Sequence, residues 1–371
     1  MALINSLDPG KVADQLGAWL MNTLPGVSDI SFTDVYIPSS NGMSSESVLM
    51  EAEWTVDGAR VKQGLVARVA PTSGGLFPDY DLEREATVMN AIATGTAASA
   101  PKVVAVDTTG DVLGAPFLLM ERAYGEVPSD DPPYTVSGWV MDLDDAQRAT
   151  LYDNALAALA QIGQGDVKAL GLEFLVDPAL GESPTDRLLA YWRNFYSWAG
   201  NGRTSPTIDA AWEWLEVNRP AVESAPAVCW GDARLGNLMF GPEQEVTGVF
   251  DWELAQVGPH EFDLGFLLFT TRTWSQGLGV PLPGGFPDPA TAVRRYEELS
   301  GLKVQSIDWW EAFAGVRCAI LLLRVGNLLI ELGALPQDAA LPLANPASVA
   351  LAQVLGLPAP SQQAAWITGS R

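Results

Sequence analysis

Apolar residues recur at helical spacing over residues 8–24, where Val12, Leu16 and Leu20 form one stripe behind Asp8 and Pro9, an N-cap followed by a first-turn proline. The period then changes to two. Residues 34–38, 47–56 and 62–69 alternate or run apolar at strand length, and Asp57-Gly58 marks a hairpin between the last two. Leu82, Ala86, Met89 and Ala93 return to helical spacing, and residues 101–106 and 116–121 read as two further strands. This pattern predicts a first lobe over residues 1–123: an N-terminal helix, a five-stranded, largely antiparallel sheet and one main helix.

Past Ala123 the chain passes through a Pro/Asp-rich run at 128–133 into long amphipathic patterns at 147–163, 186–199, 208–218, 261–273, 289–299 and 309–332. Residues 124–371 are therefore expected to form a larger, mainly helical lobe. One β-like island interrupts the helices at 227–253, and the Gly/Pro-rich stretch 276–289 is the longest candidate for a mobile surface segment. The fold class is α+β, in two lobes.

The 371 residues carry 21 Lys+Arg against 45 Asp+Glu, a formal net charge of −24, and 48% are hydrophobic. That is a folded chain with ample core material. So acidic a balance argues against a general nucleic-acid binder, which needs a basic face to displace counterions from phosphates. It suits a cationic small-molecule partner, although net charge speaks first to solubility. The two cysteines, Cys229 and Cys318, lie in apolar surroundings and read as buried thiols, and His260 is the only imidazole. A Cys/His zinc cluster cannot be assembled from these, and no G-x-S-x-G accompanies the lone histidine. Any metal must be held by carboxylate and amide oxygens, which points to magnesium. The first ten residues lack a positive leader, and the apolar stretch 316–330 is broken by Arg317, Arg324 and Asn327, so neither a signal peptide nor a membrane span is expected. A cytoplasmic location is expected on these grounds.

Candidate chemistry concentrates in the island, Trp230-Gly-Asp-Ala-Arg-Leu-Gly-Asn237 followed by Phe250-Asp-Trp-Glu253. If residues 238–240 pair with 248–250 across a turn centred on Gln244, Asn237 and Asp251 stand side by side at the open end of a hairpin. An amide oxygen and a carboxylate make a two-residue magnesium clamp, since that ion completes its octahedron with phosphates and water. Asp232, on the loop entering the same end, can orient an attacking hydroxyl and accept its proton, and Arg234 can reach a phosphate oxygen. Taken singly, Asp232 and Asn237 are also ordinary turn residues. A glycosidase pair is disfavoured, because Asp251 and Glu253 are two apart on one extended segment.

These two motifs, with the order of elements around them, resemble the aminoglycoside phosphotransferase and choline kinase family, relatives of the protein kinases. The resemblance is closest to the bacterial aminoglycoside-phosphotransferase-like subgroup. It implies a protein-kinase-like fold, ATP or GTP as phosphoryl donor, Mg2+ as cofactor, and a small-molecule acceptor, an aminoglycoside among the possibilities. Asp232 then stands as catalytic base, Asn237 and Asp251 as metal ligands, and Arg234 where protein kinases place a phosphate-contacting lysine. Trp230 replaces the family's usual histidine. Arg68 stands where the nucleotide-anchoring lysine is expected, with Lys62 as a weaker alternative, and Glu85, ahead of Glu83, matches the acidic partner of that anchor. Ser44 and Ser45 fall in the loop laid over the phosphates, Met120, Glu121 and Arg122 on the strand whose backbone edges the base, and Asp263 where a buried carboxylate supports the catalytic loop. The alternative reading is a degenerate kinase fold that binds a ligand without transferring phosphate. Neither nucleic-acid nor membrane partners are expected, and the sequence leaves the oligomeric state open.

Overall fold

The structure, a computed structural model, describes residues 7–38, 45–72 and 74–360. Ser44 lies outside the described residues. The described residues divide into two compact units, one holding those up to Ala93 together with Ala100–Tyr124, the other Thr94–Ser99 and residues 125–360.

In the first unit helix α1 (Pro9–Thr23) starts at Asp8, whose side chain accepts from the N–H groups of Gly10 and Lys11. Strands β1 (Val27–Tyr36), β2 (Glu46–Val56) and β3 (Ala59–Val69) follow, then α2 (Leu82–Gly95), β4 (Val103–Asp107) and β5 (Phe117–Glu121). They form one five-stranded sheet in the order β1-β2-β3-β5-β4, every pair antiparallel. Asp57 and Gly58 both take left-handed conformations in the β2–β3 turn, as a twist-matched two-residue hairpin requires. Alternate residues of β2 (Val48, Met50, Ala52, Trp54) and β3 (Leu65, Ala67, Val69) pack with Val12, Leu16 and Leu20 of α1 in one core. The opposite face of β3 therefore carries Val66 and Arg68. Strand β1 begins seven residues before the alternating pattern suggests. Two bulges, between Ser28 and Ser31 and between Thr33 and Tyr36, break its period of two, which is why the pattern is hidden.

The second unit holds α3 (Trp139–Asp142), α4 (Asp145–Gly163), α5 (Pro184–Gly200), α6 (Pro206–Val217), the short strands β6 (Pro226–Cys229), β7 (Leu238–Phe240), β8 (Val246–Val249) and β9 (Gln256–Pro259), then α7 (Glu261–Thr273), α8 (Pro289–Ser300), α9 (Ile307–Glu331) and α10 (Pro346–Leu355). Helix α9 is its axis, with α5, α6, α7 and α10 packed around it. It is long and apolar enough to cross a membrane by length and composition, but 83% of its apolar window is buried inside the protein. Strands β6 and β9 pair, as do β7 and β8, so the candidate segment 230–253 enters and leaves on two small ribbons. The stretch 276–289 is tied down, contrary to the expectation of mobility. Phe286 packs between Tyr134 and Tyr152, with ring centroids at 6.1 and 5.2 Å, and the Gly284 carbonyl accepts from Arg148 Nε at 2.6 Å.

Candidate active site

In the first unit the Arg68 guanidinium and the Glu85 carboxylate form a buried pair at 2.6 Å, with side-chain exposures of 9% and 3%. Arg68 Nε also donates to the Ser45 hydroxyl at 2.8 Å. Glu83 is exposed on the next face of α2, and Lys62 is exposed opposite Glu53 near the β2–β3 turn, so Arg68 and Glu85 are the residues that meet. At the end of β5 the N–H of Glu121 is taken by the Lys102 carbonyl at 2.8 Å and that of Arg122 by Gly64 at 2.9 Å. These two amides serve the neighbouring strands rather than an incoming base, and β5 itself ends at Glu121. The Arg122 side chain bonds Glu51 at 3.2 Å and the Tyr36 hydroxyl at 2.9 Å, and Met120 is buried.

In the second unit β6 runs into Trp230, Gly231 and Asp232. Gly231 has φ +94°, and a Cβ there would overlap the Leu254 carbonyl, so this turn admits only glycine. Asp263, near the start of α7, accepts from the N–H of Trp230 at 2.6 Å and of Gly231 at 2.9 Å. Burial raises its pKa to about 6, even though these bonds and the nearby Arg317 favour the carboxylate. Trp230 is buried, and its indole N–H donates to the carbonyls of Phe250 at 2.7 Å and Asp251 at 3.2 Å. It thus links the Asp232 loop to the Asp251 loop, a donor role an imidazole N–H could also fill.

The Asn237 amide nitrogen donates to the Asp232 carboxylate at 2.7 Å and to its backbone carbonyl at 3.0 Å, which directs the amide oxygen away from that loop. The β7–β8 register is one residue from expectation. Leu238 faces Val249 and Met239 faces Gly248, with an irregularity before the Phe240–Val246 pair, so Phe250 rather than Asp251 follows opposite Asn237 and donates its N–H to the Asn237 carbonyl at 3.0 Å. Asp251 then turns at φ +60°, and its charge acts on both Asp232 and Arg234. Among the described residues no three His, Cys, Asp or Glu side chains gather as a metal site, so the oxygens here are one amide and one carboxylate beside Asp232.

Arg234 Nε bonds the Asp232 carboxylate at 3.2 Å, and its Nη1 pairs with Asp130. Burial alone would lower the Arg234 pKa, but Asp130, Asp232 and Asp251 outweigh it and raise it. Burial raises the Asp232 pKa, opposed by Arg234 and reinforced by Asp251. Sequence reasoning missed Asp130, which is 104 positions from Arg234 and linked to it by no spacing rule. It also passed over Arg317, whose signal was a charge inside an apolar helical run.

A loop whose aspartate leaves a short strand, is held from below by a helix carboxylate and faces a hairpin asparagine and aspartate is the arrangement that the sequence resemblance led one to expect of a protein-kinase-like fold. The model of the phosphotransferase enzyme family, APH, matches residues 53–298, and the chain belongs to that family. Among solved structures it resembles a candidate aminoglycoside phosphotransferase from Ralstonia eutropha JMP134, with TM-score 0.66 and 23% identity over 92% of this chain and 98% of that one. A variant of aminoglycoside phosphotransferase APH(4)-Ia in ternary complex with ADP and hygromycin B matches at TM-score 0.53 and 15% identity over 92% and 98%. At such identities these likenesses establish the fold. Curated relatives include acyl-CoA dehydrogenase family member 11 of Homo sapiens, 30% identical over 232 residues, and of Rattus norvegicus, 26% identical over 287 residues. The matches cover 59% and 76% of this chain but 28% and 34% of those proteins, so the chain spans about a third of the relatives' length or less.

Proposed function

We propose that the protein is a magnesium-dependent small-molecule kinase that transfers the terminal phosphoryl group of ATP or GTP to a hydroxyl of its acceptor. The observation that carries this reading is the convergence of Asp232, Arg234, Asn237 and Asp251 on two adjacent loops. Asp232 orients the acceptor hydroxyl and takes its proton as the oxygen attacks phosphorus and the bond to the leaving nucleoside diphosphate breaks. Arg234, held protonated by three carboxylates, offers a cation to the transferred group. The Asn237 amide oxygen and the Asp251 carboxylate would hold Mg2+, a donor set that suits an ion which keeps water and phosphate in its shell. An ion held there would neutralise charge on the donor phosphates. On the donor side the reading uses the Arg68–Glu85 pair as phosphate anchor, Ser45 and Ser44 as loop donors, and the backbone from Met120 through Arg122 at the base.

Two acceptor classes follow from the relatives' names. Aminoglycosides agree with the charge of −24. Hydroxyacyl thioesters of coenzyme A agree with relatives named acyl-CoA dehydrogenases, since a phosphotransferase acting beside such an enzyme needs an acyl chain bearing a hydroxyl. The test begins with calorimetric titration of ATP and GTP, with and without magnesium, into wild type, Asp251→Asn and Asp232→Asn. Magnesium-dependent binding, weakened at least tenfold in Asp251→Asn and kept within a few-fold in Asp232→Asn, is expected. A turnover screen with both acceptor classes follows, in which Asp232→Asn is expected to be inactive. If the folded wild type binds neither nucleotide, the degenerate, ligand-binding reading replaces this one.

A further inference from the structure

Arg317 sits in the middle of α9 and is fully buried. Its guanidinium lies 3.5 Å from the ring centroid of Phe262, 4.4 Å from Phe266 and 5.1 Å from Trp192. Packing alone would be met by an apolar side chain, because a buried ion is costly unless its hydrogens are well used. Arg324 on the same helix has an ordinary partner, Glu331 at 2.9 Å. Among the described residues Arg317 has no carboxylate within salt-bridge distance, and its Nε is unpartnered. Its hydrogen bonds go to two backbone carbonyls, Nη1 to Phe262 at 3.1 Å and Nη2 to Gly231.

These carbonyls belong to the residues immediately before Asp263 and Asp232. Asp263 in turn accepts the N–H groups of Trp230 and Gly231, so Gly231 is held at its N–H from α7 and at its C=O from α9. We infer that Arg317 is a positioning residue for phosphoryl transfer, which with Asp263 clamps the backbone on both sides of Gly231 and so fixes the direction in which Asp232 leaves β6. The clamp acts where the chain needs one. Gly231 is left-handed and has no side chain to wedge in place, so without outside bonds this turn is the softest point between strand and base. The charges of Asp263 and Asp232 lie close enough to favour the cation, and although burial pulls its pKa down to about 10, Arg317 remains charged at neutral pH.

The role in turnover rests on the kinase reading, whereas the clamp itself can be tested without activity. Hydrogen–deuterium exchange on the 371-residue wild type and Arg317→Lys should show the amides of residues 229–233 exchanging at least tenfold faster in the variant, with α7 and α9 protected as in wild type. Lysine keeps the charge but can reach only part of what the guanidinium fork holds. In parallel, Mg-ATP turnover should show kcat per folded molecule falling about tenfold in Arg317→Lys and a hundredfold in Arg317→Met, with donor KM within threefold. Unchanged exchange at 229–233 in Arg317→Lys, or faster exchange spread evenly over α7 and α9, would overturn the clamp. Faster exchange confined to residues 229–233 with kcat moving only with the folded fraction would overturn the positioning role. If Arg317→Met does not fold, Arg317→Lys decides alone. If wild type shows no turnover, the kinase reading fails and the exchange result judges the clamp by itself.

Discussion

Asp263→Asn separates what this carboxylate does for the fold from what it does for the site. The side chain is buried and its pKa is raised from 3.8 to about 6, a preference for the neutral form of about 3 kcal/mol. A neutral amide escapes that desolvation. It keeps one oxygen for one N–H of the Trp230–Gly231 pair but turns an NH2 towards the other, and an unsatisfied buried donor costs about 1–3 kcal/mol. The two effects nearly cancel, so urea unfolding at pH 7.5 should place the variant within about 2 kcal/mol of wild type. The pH dependence carries the sign. The folded protein holds this proton more tightly than the unfolded chain, so the group favours folding most below pH 4 and its contribution falls as pH rises from about 4 to about 6. Wild type should show that decline and Asp263→Asn should lack it. Turnover should behave oppositely. The ionised form grips both amides, so wild-type kcat should rise with pH through about 6, while the Asn variant should lack that rise and be slower by roughly a hundredfold above pH 7, the scale of a 1 Å misplacement of a catalytic group, with the gap narrowing below pH 6. An Asn variant with kcat within threefold of wild type would refute the argument that the amide grip positions Asp232.

Arg68→Ala leaves Glu85 buried without its cation, which should cost about 3–5 kcal/mol in urea unfolding and raise donor KM at least tenfold. Arg68→Ala/Glu85→Ala should recover part of the stability but not the KM, and a double variant no more stable than the single would show that the loss was not that of an orphaned charge. Trp230→Phe removes the indole donor that joins the two loops, so stability should fall by about 1–2 kcal/mol and the magnesium concentration needed for half-maximal rate should rise. Trp230→His, which restores a ring N–H, should recover the magnesium response in part, and equal behaviour of the Phe and His variants would remove the indole bond from the account.

Much of this was legible in one dimension because the relevant interactions are local. Helix α1 announces itself through Asp8, Pro9 and an apolar stripe at four-residue spacing, and the β2–β3 turn through Asp57-Gly58. Asp232, Asn237 and Asp251 sit within twenty residues of each other, so strand and turn rules bring them together without knowledge of the rest of the chain. The family resemblance drew attention to Arg68 and Glu85, and burial separates them from Lys62, exposed at the hairpin end of the same face of β3, and from Glu83, exposed on α2. Strand β1 was half hidden, because two bulges erase its alternation, and the register of β7–β8 slipped by one because an irregularity cannot be read from apolar pattern alone.

The sequence by itself determined the element types, the division of the chain into a β-rich and a helical part, and the candidates for orienting a hydroxyl and holding a hard cation. Periodicity, turn preference and side-chain chemistry are properties of neighbouring residues, so they survive without coordinates. Only the tertiary structure decided that Asp130 pairs with Arg234, that Trp230 bridges to the Asp251 loop, and that Asp263 and Arg317 grip Gly231 from two helices. These contacts join positions from 20 to 104 residues apart, and their partners on one side are often backbone groups, which every residue carries and no side-chain pattern marks.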